Sequence, residues 1–107
     1  MADLSFDEQA TPARLSLGGN LTIYEVSETH AALLDLLGSH PLSRLQLDLG
    51  AVDELDSAGV QLLLALQRQI QRGGGVLEVT AASASATELL ELLRLRALYP
   101  TVWPATT

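Results

Sequence analysis

Short apolar runs alternate with longer periodic ones along the whole chain, and that alternation predicts strands interleaved with helices. Arg14 to Gly18 (Arg-Leu-Ser-Leu-Gly) alternate polar and apolar as a half-buried strand does. Gly18-Gly19-Asn20 then offers a tight turn into Leu21 to Ile23, so a small hairpin or bent strand is expected to open the domain. From Val26 to Leu37 the apolar positions Val26, Leu33, Leu34 and Leu37 recur at helical spacing, with Gly38 and Pro41 as stop signals. This helix has two candidate starts. Thr22 with Glu25 makes one capping box, and Ser27 offers an N-cap a turn later.

Leu45, Leu47 and Leu49 alternate with Gln46 and Asp48, a strand pattern that ends at Gly50 and leads into an acidic loop from Ala51 to Asp56. The strongest periodicity follows. Over Ser57 to Arg72, Leu62, Leu63, Leu66 and Ile70 fall on one helical face and Gln61, Arg68 and Arg72 on the other. Leu63 and Leu66, at the centre of that apolar arc, are the expected core residues. Gly73-Gly74-Gly75 ends this helix, and Val76 to Thr80 returns as a strand, which makes a βαβ unit with two parallel strands. Ser85 and Glu88 bracket a last helix with Leu89, Leu90 and Leu93 inward, and Tyr99 to Trp103 reads as extended, with a frayed tail after Pro104.

Length and composition narrow the function. The 107 residues fit a single domain spanning residues 1–107, its core over about 14–99 with flexible ends. The apolar share of 48% is that of a globular chain, and with aromatics at 4% leucine must fill the interior. A formal charge of −7 would repel a phosphate backbone, so nucleic acid is not an expected partner. The chain has no cysteine, which removes disulfides, zinc–thiolate sites and cysteine nucleophiles. No apolar run approaches the roughly 18 residues of a membrane span, and the acidic Met1 to Glu8 segment is unlike a signal peptide, so the expected setting is the cytoplasm.

No catalytic constellation emerges. His30 and His40 lack a metal-binding spacing and read as surface residues, so no metal, no cofactor and no catalytic residue is expected. Gly73-Gly74-Gly75 follows a helix instead of preceding one, so it is a C-cap and not a phosphate cradle. Asp56-Ser57-Ala58-Gly59 lacks the earlier glycine of a GxSxG nucleophile elbow.

The informative segment is the entry to the second helix, Val52 to Val60. Asp56 is placed as N-cap, with Ser57 as first helical residue and its hydroxyl toward the surface. Gly59 costs about 1 kcal/mol inside a helix relative to alanine, so its small size answers either a neighbouring strand or a partner's close approach.

In their order along the chain, these residues resemble the STAS family. Gly19-Asn20-Leu21-Thr22 is similar to its turn before the first helix, and Leu47-Asp48-Leu49 to its hydrophobic strand with a central Asp. Asp56-Ser57-Ala58-Gly59-Val60 is similar to its Asp-Ser-[Ser/Ala/Thr]-Gly signature, and Gly73 to Leu77 to its glycine turn into the next strand. The resemblance covers roughly residues 14 to 99. It implies a small α/β domain with a short, mostly parallel central sheet, an N-terminal hairpin and helices packed on it. It also implies a non-enzymatic regulatory protein resembling an anti-sigma factor antagonist, whose partner is an anti-sigma factor, a serine kinase or a related signalling protein, in a stress or chemotaxis-type pathway. The phosphoacceptor would be Ser57. The partner-binding residues would be Asp53, Glu54, Asp56, Ser57, Ala58, Gly59 and Val60; by helical angle Leu64 lies on the flank of the same helix, where it either extends the patch or is covered by the first helix or the segment around Trp103. The alternative that the resemblance carries is an accessory subunit on the ATPase of a lipid-transporting ABC system, where the Ser-Ala-Gly form of the signature also occurs.

Overall fold

The computed structural model describes residues 2–38 and 43–94. Strand β1 (Asp3–Asp7) is followed by β2 (Ala13–Leu21), helix α1 (Val26–Gly38), β3 (Arg44–Leu55), α2 (Ser57–Arg72), β4 (Val76–Ala82) and α3 (Ala84–Leu92). The strands form one four-stranded sheet in the order β1-β2-β3-β4. β1 and β2 are antiparallel, whereas β2 with β3 and β3 with β4 are parallel, so the small α/β fold with a mostly parallel sheet and an N-terminal hairpin is as expected. Leu45 stands opposite Leu77 and Leu47 opposite Val79, the predicted parallel pair.

The period-2 pattern of the strands decides which face is buried. Leu15, Leu17, Leu45, Leu47, Leu49, Leu77 and Val79 turn inward, while the alternating Arg14, Ser16, Gln46, Asp48 and Glu78 keep solvent contact. An ion pair between Arg44 and Glu78 crosses from β3 to β4 among these wetter positions. Val60, Leu62, Leu63, Leu66 and Ile70 of α2, Leu33 and Leu37 of α1 and Leu90 of α3 join the core. Leu63 is fully enclosed at 0% exposure, and each such side chain contributes about 1.5–3 kcal/mol by leaving water. The predicted inner face of α2 is therefore the observed one.

Several expectations are corrected. Gly18-Gly19-Asn20 is not a turn. β2 runs through it, and the register against β3 shifts between Ser16 and Gly18 and again between Gly19 and Asn20, with Gly19 at φ +71°. The strand bends there, as a bulged strand does. The hairpin partner is β1, whose Asp-Leu-Ser-Phe-Asp alternation pairs Leu4 with Leu17 and Phe6 with Leu15, so regular structure begins well before residue 14. Ala51 to Leu55 is strand instead of acidic loop, because β2 supplies a ladder as far as Leu21 opposite Leu55. Ser83, not Ser85, caps α3, accepting the Ala86 N–H at 3.1 Å. Leu93 lies past that helix and is exposed.

At the other end of α2 the glycines close the helix as predicted. The Gly73 N–H returns to the Gln69 carbonyl, Gly74 adopts φ +83°, and the Gly75 N–H donates to the Ile70 carbonyl at 2.9 Å. His40, Pro41 and the Tyr99 to Trp103 segment lie outside the described residues.

Candidate functional site

Parallel strands β2 and β3 end side by side, so the segments that leave them emerge together at one edge of the sheet. Leu21 leads into a turn over Thr22 to Glu25 and then α1, and Leu55 leads through Asp56 into α2. The Ser57 segment thereby meets a turn more than thirty residues earlier in the chain.

Asp56 joins the two. Its backbone is extended (φ −121°, ψ −176°), the conformation of an N-cap, and its carbonyl accepts the Val60 N–H. One carboxylate oxygen accepts the Gly59 N–H at 3.0 Å, which satisfies an amide that the first turn of α2 would leave orphaned. The other accepts the Ile23 N–H at 2.9 Å. Asp56 is thus the predicted N-cap and also a strut to the β2–α1 turn. Burial acts to raise its pKa, yet the N–H groups of Gly59, Ile23, Ala58 and Asp56 itself outweigh burial and hold the carboxyl below its ordinary value.

The turn has its own brace. The Thr22 carbonyl accepts the Glu25 and Val26 N–H groups, and the Glu25 carboxylate takes both the Thr22 N–H and the Thr22 hydroxyl. α1 begins at Val26, so neither candidate start is its first residue: the Thr22–Glu25 pair braces the turn ahead of the helix, and Ser27 lies inside it. The hydroxyl of Thr22, donating to the carboxylate, lowers the Glu25 pKa, and neither desolvation nor the Asp56 charge reverses that.

The predicted site residues divide by burial. Ser57 is exposed at the first position of α2, where the helix dipole favours added negative charge. Asp53 and Glu54 are exposed on the last turn-ward stretch of β3, and Asp56 and Ala58 are half-buried beside them. Gly59 and Val60 are not at the surface, which corrects their place in the expected patch. Val60, 3% exposed, stands three residues before Leu63 on the same inner arc. At Gly59 an added Cβ would lie 2.1 Å from the Leu21 carbonyl oxygen and 2.7 Å from Leu55 Cδ1. The glycine therefore answers the neighbouring strand end, the first of the two reasons open from sequence. Leu64 is half-buried and packs against the core, so only part of it is available to a partner.

Two residues of this edge lie outside the expected patch, and Ile23, expected to continue the opening strand, falls in the turn after β2. Ile23 is 66% exposed and Tyr24 89% exposed, side by side on the braced turn. Thr22, Tyr24, Asp53, Glu54, Leu55, Asp56 and Ser85 surround one shallow depression. The Thr22–Glu25 spacing was the available clue, since a Thr and a Glu three residues apart mark the entry of the chain into a helix. His30 is exposed on α1, and among the described residues no group of three or more His, Cys, Asp or Glu could hold a metal ion. Nor is any described helix long and apolar enough to cross a membrane.

Comparison with known proteins supports this fold. No curated protein matches the sequence significantly. Among solved structures, an anti-sigma factor antagonist from Mycobacterium paratuberculosis superposes with a TM-score of 0.78 at 21% identity, covering 99% of this chain and 92% of its own. The anti-sigma factor antagonist SpoIIAA in its unphosphorylated form gives 0.71 at 16% identity, over 87% and 82%. A putative anti-sigma factor antagonist from Thermotoga maritima gives 0.70 at 18%, over 99% and 92%. At such identities the likeness establishes the fold. The family model described as "Mlab, STAS domain" matches residues 4–100, nearly the whole chain, and on that match the protein belongs to the STAS domain family.

Proposed function

We propose that the protein is a non-enzymatic regulatory binding module of the anti-sigma factor antagonist kind, which captures its partner at the Ser57 edge and is switched off by phosphorylation of Ser57. The carrying observation is the placement of Ser57. It is exposed, it opens α2, and it directly follows Asp56 at the end of the strand that carries the exposed Asp53 and Glu54. A phosphate there adds about −1.5 to −2 charges and a bulky, strongly hydrated group to an already acidic rim, which a partner seated on the unmodified edge would have to accommodate and desolvate. The same charge sits at a helix N-terminus, where it is locally stabilising, so the helix persists and the interface changes. The solved structures of similar fold, described as anti-sigma factor antagonists, support this reading, and the partner class it implies is an anti-sigma factor or serine kinase.

A second reading is favoured by one residue. Ala58 gives the signature its Ser-Ala-Gly form, which the family resemblance also associates with an accessory subunit on a lipid-transporting ABC ATPase. One experiment separates the two. Mass spectrometry of the protein from its own cells, across growth and stress conditions, should find phosphate on Ser57 in at least one state. The purified partner should bind Ser57→Ala as it binds the unmodified chain, and should bind the phosphorylated chain weakly. Constant absence of phosphate, with stable copurification of an ATPase under every condition, transfers the assignment to the subunit reading.

A further inference from the structure

Single exposed apolar side chains are ordinary on protein surfaces, but Ile23 and Tyr24 differ in being adjacent and held. The backbone beneath them is fixed at both ends, by Thr22 and Glu25 within the turn and by the Asp56 carboxylate from α2. Side chains displayed on an ordered backbone lose little further freedom on binding, which is the condition for an anchor. A tyrosine offers an apolar ring with a polar tip, a residue type enriched at the centres of interfaces.

The charge around the pair is one-sided. Tyr24 shares its depression with Asp53, Glu54 and Asp56. Among the described residues the cations lie elsewhere: Arg14 and Arg44 sit at the starts of β2 and β3, Arg68 and Arg72 in the closing turns of α2, at the opposite end of the parallel strands, and Arg94 just past the end of α3. The Asp56 carboxylate is already engaged by two backbone N–H groups, which leaves Asp53 and Glu54 as the exposed acceptors. A partner that covered them without supplying positive charge would desolvate two carboxylates uncompensated.

We propose that Ile23 and Tyr24 are the apolar anchor of the docking surface and that its occupant is a folded partner presenting arginine or lysine among aliphatic side chains. The cation would meet Asp53, Glu54 and the face of the Tyr24 ring, and the aliphatic groups would cover Ile23. This inference rests on the reading of the Ser57 edge as a docking surface and names what that surface accepts. A phosphate on Ser57 would draw the same cation away from Asp53, Glu54 and the Tyr24 ring, and so displace the partner from Ile23.

The test is in-cell crosslinking from a benzophenone amino acid placed, in separate full-length chains, at Tyr24 and at Gln61, an exposed position one turn beyond Ser57 on α2. Both positions are expected to capture the same protein, and the peptide crosslinked at Tyr24 should contain arginine or lysine beside aliphatic residues. With that protein purified, Ile23→Ser and Tyr24→Ala should each weaken binding about tenfold or more while thermal unfolding stays unchanged. Binding should also weaken as salt is raised. Capture at Gln61 without capture at Tyr24 overturns this inference and leaves the Ser57 docking reading standing. An acidic captured peptide, a second copy of this chain as the captured protein, or unchanged affinity in both variants overturns it equally. Capture at neither position overturns both readings together.

Discussion

Gly59→Ala should destabilise the protein, although helix propensity alone predicts the reverse. Alanine is favoured over glycine in a helix interior by about 1 kcal/mol, and Gly59 lies inside the first turn of α2. The tertiary term opposes this and is larger. The new Cβ would stand 2.1 Å from the Leu21 carbonyl oxygen and 3.1 Å from its carbon, and both atoms belong to backbone. A flexible side chain could swing aside, but Leu21 is 0% exposed and paired in register with Leu55. Relief therefore requires the end of β2 or the start of α2 to move, and overpacking of this kind costs about 1–3 kcal/mol, here at the upper end because backbone must yield. The expected net loss is about 2 kcal/mol. Urea unfolding followed by circular dichroism would show it as a lowered midpoint with unchanged slope, and thermal unfolding as a fall of about 10 °C. Gly73→Ala is the matched control, since a Cβ there would meet nothing closer than the Ile70 carbonyl oxygen at 3.6 Å. A Gly59→Ala protein as stable as the parent, or more stable, would refute the close-approach argument.

Other consequences follow from the same geometry. Leu63→Ala should cost about 2–5 kcal/mol in chemical denaturation, whereas Leu64→Gln, at a half-buried position, should cost clearly less; equal losses would mean that the helix phase is wrong. Asp56→Ala removes the cap of α2 and should cost about 0.5–2 kcal/mol, and the Ile23 amide should lose hydrogen-exchange protection along with the Gly59 amide. The folded-state pKa of Asp56 lies below its ordinary 3.8, so its contribution is present above that value and is lost as pH falls through the folded pKa; Glu25 acts in the same direction. Acid titration followed by NMR at Ile23 should therefore open the turn only below about pH 4, and opening near neutrality would contradict the strut. Thr29 is 0% exposed and its hydroxyl accepts the Ala2 N–H at 3.1 Å, so Thr29→Val should cost about 1–3 kcal/mol and unprotect that amide.

Helix α2 was legible because everything that defines it is local. Its leucine spacing, the N-cap at Asp56 and the closing glycines lie within one stretch of chain, and the observed bounds Ser57–Arg72 are those predicted. The parallel β3–β4 pair was legible for a related reason: two short apolar strands joined by one helix leave few ways to bury both. The Asp-Ser-Ala-Gly signature located Ser57, although burial then removed Gly59 and Val60 from the surface drawn around it.

What the sequence could not supply depends on which strand lies next to which. β1 has the alternation of a strand but only two apolar residues to bury, and the outer half of β3 is acidic; both are strands because β2 offers each a ladder of hydrogen-bonding partners. The glycines at 18 and 19 suit a turn and a bulge equally, and only pairing on both sides of β2 makes them a bend within a strand. The bond from Ile23 to Asp56 spans 33 residues, so no local pattern foretells it, yet it sets Ile23 and Tyr24 beside Ser57. Periodicity and capping determine which segments form helices and strands; the adjacency of β2 and β3 determines that two of their ends become one surface.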